Sequence, residues 1–286
     1  MKSILLLLAM PLVIGFSSCK KSESADGEVK QQDIMNVSYG ADASQKLDIY
    51  LPANRNSDKT KVLVFIHGGS WSGGDKSEFT SAISALRLML PAYAIFNLNY
   101  RLATSASTRF PAQINDVQSA IDFIATKSAE YKINGNKIGL IGASAGAQLA
   151  LLQAYKNNSN GKIKAVVDLF GPADLTTLYN NHPFPTVSQP TLVTYLGTTP
   201  SANATLYQQA SPITFVTSTS VPTQIFHGEL DYVVPIAQST SLKTKLQSFS
   251  VKVEMVTYAG EGHGWFGSNL IDTYSKVVTF IQQNVQ

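Results

Sequence analysis

From residue 37 onward the chain alternates short apolar runs with longer segments of helical spacing. KVLVFIH (61–67) is apolar at almost every position, the pattern of a strand buried on both faces. AYAIFNLNY (92–100), KIGLIGA (137–143), IKAVVDLF (163–170), PTQIFHG (222–228) and VKVEMVTYAG (251–260) repeat that pattern. Between them lie segments with helical periodicity: Ser77 to Leu90, PAQINDVQSAIDFIATK with Ile114, Val117, Ile121 and Ile124 on one face, and a helix opening at Ala145. AQSTSLKTKLQSF and the final IDTYSKVVTFIQQN complete the set. Ahead of the first buried strand, NVSYG and KLDIYLP, joined by polar ADASQ, read as an antiparallel hairpin.

Such alternation predicts an α/β fold: a mostly parallel sheet, helices on both faces, and an antiparallel edge from the hairpin. In sheets of this kind ligands bind beyond the carboxyl ends of the strands. Candidate chemistry is therefore sought where a strand has just ended.

Gly142-Ala143-Ser144-Ala145-Gly146 meets that condition and matches G-x-S-x-G. Small residues on both sides permit a sharp turn that lifts the Ser144 hydroxyl above the sheet, with the N-terminus of the next helix behind it. A helix cap would also place a serine there, but needs no small residues flanking it on both sides. A serine hydroxyl requires a base, and the chain has four histidines. His263 lies in a Gly-rich loop (Gly260 to Gly264) after the last strand and is the best placed; His227, at a strand end, is second. The imidazole requires an acceptor in turn. Asp231 follows strand PTQIFHG and gives the chain order Ser, Asp, His; Glu229, Asp168 and Asp174 are rivals. His67-Gly68-Gly69-Ser70-Trp71, directly after KVLVFI, is nearly bare backbone whose N–H groups suit a developing oxyanion, with the N–H of Ala145 as second donor.

The first residues add an address. Lys2, a run at 4–16 that is almost wholly apolar, and small residues after it predict a secretory signal over 1–18. Cys19 is the sole cysteine, so no disulfide forms within the chain. Its setting after Ser17-Ser18 resembles the lipobox of bacterial lipoproteins, which implies lipidation of Cys19 and a place at the cell envelope, periplasm-facing or at the surface. Phe16 departs from the aliphatic residue usual in that motif, and cleavage nearby with an unmodified thiol is the alternative. Polar residues 19–36 are expected to form a tether, followed by one domain over 37–286. With 44% hydrophobic and 14% charged residues and a net charge of +3, no strong electrostatic partner is implied and nucleic acid is not expected. No cofactor or metal is expected either, and membrane contact is expected through the lipid anchor alone.

Together HGGSW, GASAG, GELDYVVP and GEGHGW resemble the α/β-hydrolase superfamily and, more narrowly, the hormone-sensitive-lipase-like carboxylesterases. Asn99-Tyr100-Arg101-Leu102 and Phe110-Pro111-Ala112-Gln113 look like that family's segment ahead of the elbow, with Asp116 a structural support. Many members carry HGGG; the H-G-G-x-W form here is similar to small esterases acting on acetyl or feruloyl groups of plant cell walls, and to formamidases. The resemblance implies a serine carboxylester hydrolase with catalytic Ser144, Asp231 and His263, and oxyanion donors at Gly69, Ser70 and Ala145. The substrate would be a small-molecule or polysaccharide ester. Trp71 and Trp265, beside the site loops, are candidates for substrate binding. An insertion at about 171–212 replaces the N-terminal cap of lipase-like members. Its aromatics, Tyr179, Phe184, Tyr195 and Tyr207 among them, serve either a pocket or the insertion's own core. An amidase using the same triad, and a non-catalytic binder on the same fold, are the competing readings.

Overall fold

A computed structural model describes residues 29–286. The expected signal segment and Cys19 lie outside the described residues. Eight strands form one sheet: β1 (Gln32–Ser38), β2 (Lys46–Leu51), β3 (Val62–Ile66), β4 (Ala94–Leu98), β5 (Ile138–Ala143), β6 (Ile163–Leu169), β7 (Thr223–Gly228) and β8 (Val253–Tyr258). Their order is β1-β2-β4-β3-β5-β6-β7-β8; β1 and β2 are antiparallel to each other, β2 is antiparallel to β4, and the remaining pairs are parallel. This is the expected α/β sheet with an antiparallel edge.

One boundary is corrected. Residues 32–36, expected as the end of the tether, belong to β1. They are polar because β1 is an edge strand: its buried side is limited to Ile34 and Val37, which pack against the main core. A bulge between those two residues, with Asn36 at φ 57° donating its N–H to Asp48 Oδ1 at 2.7 Å, breaks the two-residue alternation that marks a strand.

Nine helices occur among the described residues: α1 (Thr80–Met89), α2 (Ala112–Thr126), α3 (Ser128–Tyr131), α4 (Ala145–Lys156), α5 (Leu175–Asn181), α6 (Pro185–Leu196), α7 (Ala204–Ala210), α8 (Ala237–Ser248) and α9 (Gly267–Asn284). Side chains of β3 and β5 are buried on both faces, as their continuous apolar runs require. One core layer joins Val64, Leu140, Val166 and Ile225 to residues of α2, α4 and α8. The opposite layer joins Phe65, Ile141, Val167 and Phe226 to α1 and α9.

The insertion comprises α5, α6 and α7. Tyr195 and Tyr207 are fully buried in the first core layer, Tyr179 packs edge-on against Tyr207 at 5.8 Å, and Phe184 is about half exposed. Most of these aromatics therefore anchor the insertion to the domain. No helix among the described residues is long and apolar enough to cross a membrane.

Candidate active site

Three strand ends converge. β5 turns into α4 through Ser144, whose φ of 53° and ψ of −121° lie outside the regions favoured by L-residues. Holding a non-glycine residue there costs on the order of 1–3 kcal/mol and needs support from its surroundings. The Ser144 N–H donates to Leu169 O at 2.8 Å, and its carbonyl accepts from Ala147 and Gln148 N–H at 3.0 and 3.1 Å. Strand on one side and helix on the other thus hold the turn.

Ser144 Oγ lies 2.8 Å from His263 Nε2, and His263 Nδ1 lies 2.7 Å from Asp231 Oδ2. With Asp231 as acceptor, Nδ1 carries the proton and Nε2 is free to accept from the serine. Asp231 Oδ1 accepts from the N–H groups of Val233 and Val234 at 2.8 and 2.9 Å. Burial pushes the Asp231 carboxyl up, but the hydrogen bonds from His227 and His263, the charge on a protonated His263 and the Val234 N–H outweigh it, holding the group well below the usual carboxylate range. It stays ionised wherever an imidazolium forms beside it.

The rivals named from sequence are elsewhere. Asp174 caps α5, accepting from Thr177 N–H at 3.0 Å. Glu229 accepts from Thr257 Oγ1. Asp168 is fully buried, with Oδ1 accepting from Gly171 N–H at 2.7 Å and Oδ2 unpartnered. Burial pushes its carboxyl up to about 7, opposed by that N–H and by the charge His227 can carry. Its consequence for stability has a definite sign. Below the ordinary value of 3.8 both folded and unfolded chains are protonated; as pH rises from there through about 7 the unfolded chain ionises first, and stability is lost. Asp168→Asn keeps the acceptor for Gly171 and removes the ionisation. The variant is expected to match wild type at pH 4 and to exceed it by up to about 4 kcal/mol at pH 8. Urea melts at the two pH values check this; equal stability at pH 8 would contradict it.

Facing the serine, Gly69, Ser70 and Trp71 have φ of 99°, 53° and 60°, three consecutive residues in the left-handed region. Each non-glycine member costs about 1–2 kcal/mol. The run turns tightly because Ser72 and Gly73 N–H both donate to Gly69 O, at 3.1 and 2.8 Å. Trp71 holds it in place. Its ring stacks on Tyr195 with centroids 4.2 Å apart, and its Nε1–H donates to Gln148 Oε1 at 2.8 Å. Gln148 Nε2 then donates to Ala210 O at 2.6 Å, so the loop is fastened to α4 and the insertion together. Tyr100 OH lies 3.0 Å from His67 O and 3.1 Å from Gly68 O, and its ring stacks on the buried His67 imidazole at 4.4 Å. Burial pushes His67 down, toward the neutral form. Asp116 is also buried, and it binds Arg101 and Gln45.

Ser70, Trp71, Ser144 and Ala145 line one pocket with Val187, Leu192 and Val233, a space of only about 50 Å³. Trp265 does not share it. Its Nε1–H donates to Thr273 Oγ1, and its ring lines a separate apolar pocket of about 340 Å³ between α1 and α9. Phe170, itself at φ 48°, stands between the two regions, 4.6 Å from the His263 ring and 5.4 Å from Trp265. Sequence reading did not single out Phe170 or Gln148. Nothing in a strand-end phenylalanine or a mid-helix glutamine signals such contacts before the strands are assembled.

Residues 47–246 match the BD-FAE family profile. Esterase LipC of Mycobacterium tuberculosis (strain ATCC 25618 / H37Rv) is 27% identical over 246 residues, covering 80% of this chain and 59% of LipC. The chain spans about half to three-fifths of the length of the curated relatives it matches. Among solved structures, a bifunctional GH43-CE protein of Bacteroides eggerthii superposes with a TM-score of 0.78 at 28% identity, over 89% of this chain and 35% of that one. A truncated carbohydrate esterase from gut microbiota gives 0.76 at 26% identity, over 90% and 98%. By its profile match and its fold, the chain belongs to the BD-FAE family, among the hormone-sensitive-lipase-like carboxylesterases of the α/β-hydrolase fold.

Proposed function

We propose that this protein is a serine carboxylester hydrolase that works through an acyl-enzyme on short-chain acyl esters, acetyl esters of carbohydrates foremost. The observation that carries the reading is the unbroken relay from Ser144 Oγ through His263 to Asp231, with links of 2.8 and 2.7 Å. Ser144 Oγ attacks the ester carbonyl as His263 Nε2 takes its proton. The negative charge that collects on the carbonyl oxygen is met by N–H groups at Gly69, Ser70 and Ala145, the last at the N-terminus of α4. His263 returns the proton to the departing alcohol, then takes one from water as the water attacks the acyl-serine. As that second tetrahedral adduct collapses, His263 Nε2 gives the proton it took from water to the departing Ser144 Oγ, which releases the acid and regenerates both side chains. Asp231 stays anionic throughout and stabilises the imidazolium.

The pocket of about 50 Å³ beside Ser144 supports a small acyl group. The envelope address expected from the leader, and the carbohydrate esterase among the structural neighbours, support a sugar as the alcohol. Initial rates on p-nitrophenyl acetate, butyrate and octanoate, and on acetylated xylan, test the reading. Acetate is expected to exceed octanoate in kcat/KM by about 10-fold or more, since a chain longer than the pocket accepts must crowd the site or displace the ester from its attack position, at a cost of about 1–3 kcal/mol. A folded protein inert on all four esters would refute the hydrolase; octanoate as the best substrate would refute the short acyl group. Turnover of N-formylkynurenine alone would favour the amidase reading instead.

A further inference from the structure

Asp231 has a second imidazole on the oxygen that serves His263. His227, at the end of β7 and wholly buried, places Nε2 3.2 Å from Asp231 Oδ2 and 2.7 Å from Val234 O. A carbonyl oxygen can only accept, so Nε2 carries the proton and donates toward both oxygens. On the other side of the ring, Nδ1 lies 2.7 Å from Ser239 Oγ, so in the neutral ring the α8 hydroxyl donates to it. All four acceptor positions of Asp231 are then filled: Oδ1 by Val233 and Val234 N–H, Oδ2 by His263 and His227.

We infer that His227 is a positioning residue for the acid of the triad: its Nε2–H holds Asp231 Oδ2 in line with His263 Nδ1 and takes up part of the carboxylate's charge. The inference rests on the esterase reading for its kinetic test, but its geometry does not. Without His227 the only group left on Oδ2 is His263, the ring that has to be aligned, because the backbone donors at residues 233 and 234 both hold Oδ1. His227 fixes the second oxygen, and through Val234 O it ties the same loop to β7. The charged and titratable groups around the ring are Asp231 on its own loop, His263 beyond it and Asp168 from β6. Ser239 is the polar contact from α8. Sharing Oδ2 between two N–H donors weakens what each receives. Loss of His227 therefore leaves more negative charge for His263 while loosening its alignment.

Two measurements decide it. The first uses the unaltered protein: nitrogen NMR of histidine-labelled protein, with the His227 resonances assigned by their absence in His227→Gln. A proton on Nε2 is expected; a ring bare at Nε2 cannot donate to Asp231 and would overturn the inference without reference to activity. The second is the pH profile of p-nitrophenyl acetate hydrolysis for wild type, His227→Leu and His227→Gln. Leucine fills the space and donates nothing; glutamine can place an amide N–H near the position of Nε2. His227→Leu is expected to lower kcat about 10–100-fold, the scale of losing an outer-shell orienting bond, with KM within about twofold. The acid limb of its kcat/KM profile is expected to move to higher pH by a few tenths of a pH unit, roughly, because Asp231 supports the imidazolium more strongly once it is unshared. His227→Gln is expected to recover most of both losses. A folded His227→Leu with the kcat and acid limb of wild type would refute the inference, as would a His227→Gln no better than leucine. An inert wild type would instead refute the esterase reading and leave the tautomer to decide this one.

Discussion

Ser144→Ala is expected to lower kcat on p-nitrophenyl acetate by about 10⁴–10⁶-fold, roughly 5.5–8 kcal/mol in the barrier, with the fold retained. The large kinetic effect follows from the division of labour in the site. Without Oγ there is no acyl-enzyme, and His263 can only direct water at a bound ester. The N–H groups of Ser70 and Ala145 remain in place and leave a residual rate well above that in water. The small structural effect follows from the backbone. Alanine carries the same β-carbon as serine, so the strain at φ 53° is unchanged, and the only partner Oγ gives up is His263 Nε2. The His263 side chain is about one-fifth exposed, so water can satisfy the nitrogen that Oγ leaves. A melting temperature within a few degrees of wild type is expected, since the stability change is about 1 kcal/mol or less. Retention of a tenth of the activity would place the nucleophile on another side chain.

What could be read in the sequence, and what could not, divides along one physical line. Ser144, Asp231 and His263 were legible because each follows an abrupt end of an apolar run, and parallel sheets put all such ends on one edge. β3 and β5 were legible for the same reason: burial on both faces leaves an uninterrupted apolar signature. β1 was legible only in part, since an edge strand draws its pairing from β2 and its residues need little apolar character of their own. The insertion's aromatics stayed ambiguous because Tyr195 finds its partner, Trp71, in a loop remote in sequence. Trp265 is close to His263 along the chain, but near neighbours in sequence point different ways, and its ring turns to Phe170 and Tyr258. The left-handed run at 69–71 was only half visible. Gly69 announces it, whereas Ser70 and Trp71 adopt it because Tyr195, Gln148 and the tight turn onto Gly69 O over-determine the loop.

Gly146→Ala is expected to destabilise the protein by about 3–5 kcal/mol, near the top of the range for single substitutions, and to lower the melting temperature by roughly 10 °C. A β-carbon at residue 146 would lie 2.1 Å from Ile66 O and 2.3 Å from His67 O. Both are backbone atoms at the end of β3, so no side chain can rotate away, and α4 must retreat as a body. The same retreat has a chemical cost. β3 leads into the loop that carries Gly69 and Ser70, and α4 begins with Ala145, so the distance between them is the spacing of the two sets of proposed oxyanion donors. Activity should therefore fall further than the unfolded fraction accounts for, with kcat reduced by about 10-fold or more in protein that remains folded. Gly73→Ala is the control: its β-carbon would meet nothing closer than Gly69 O at 3.7 Å, an ordinary contact, and a change of less than about 1 kcal/mol is expected. A Gly146→Ala protein as stable as wild type would show that α4 moves freely against β3. One with wild-type kcat would show that the donors do not depend on that approach. The second glycine of GASAG is thus a packing residue whose packing sets the geometry of the chemistry, which is why a motif read as an elbow for the nucleophile also fixes the position of the loop it faces.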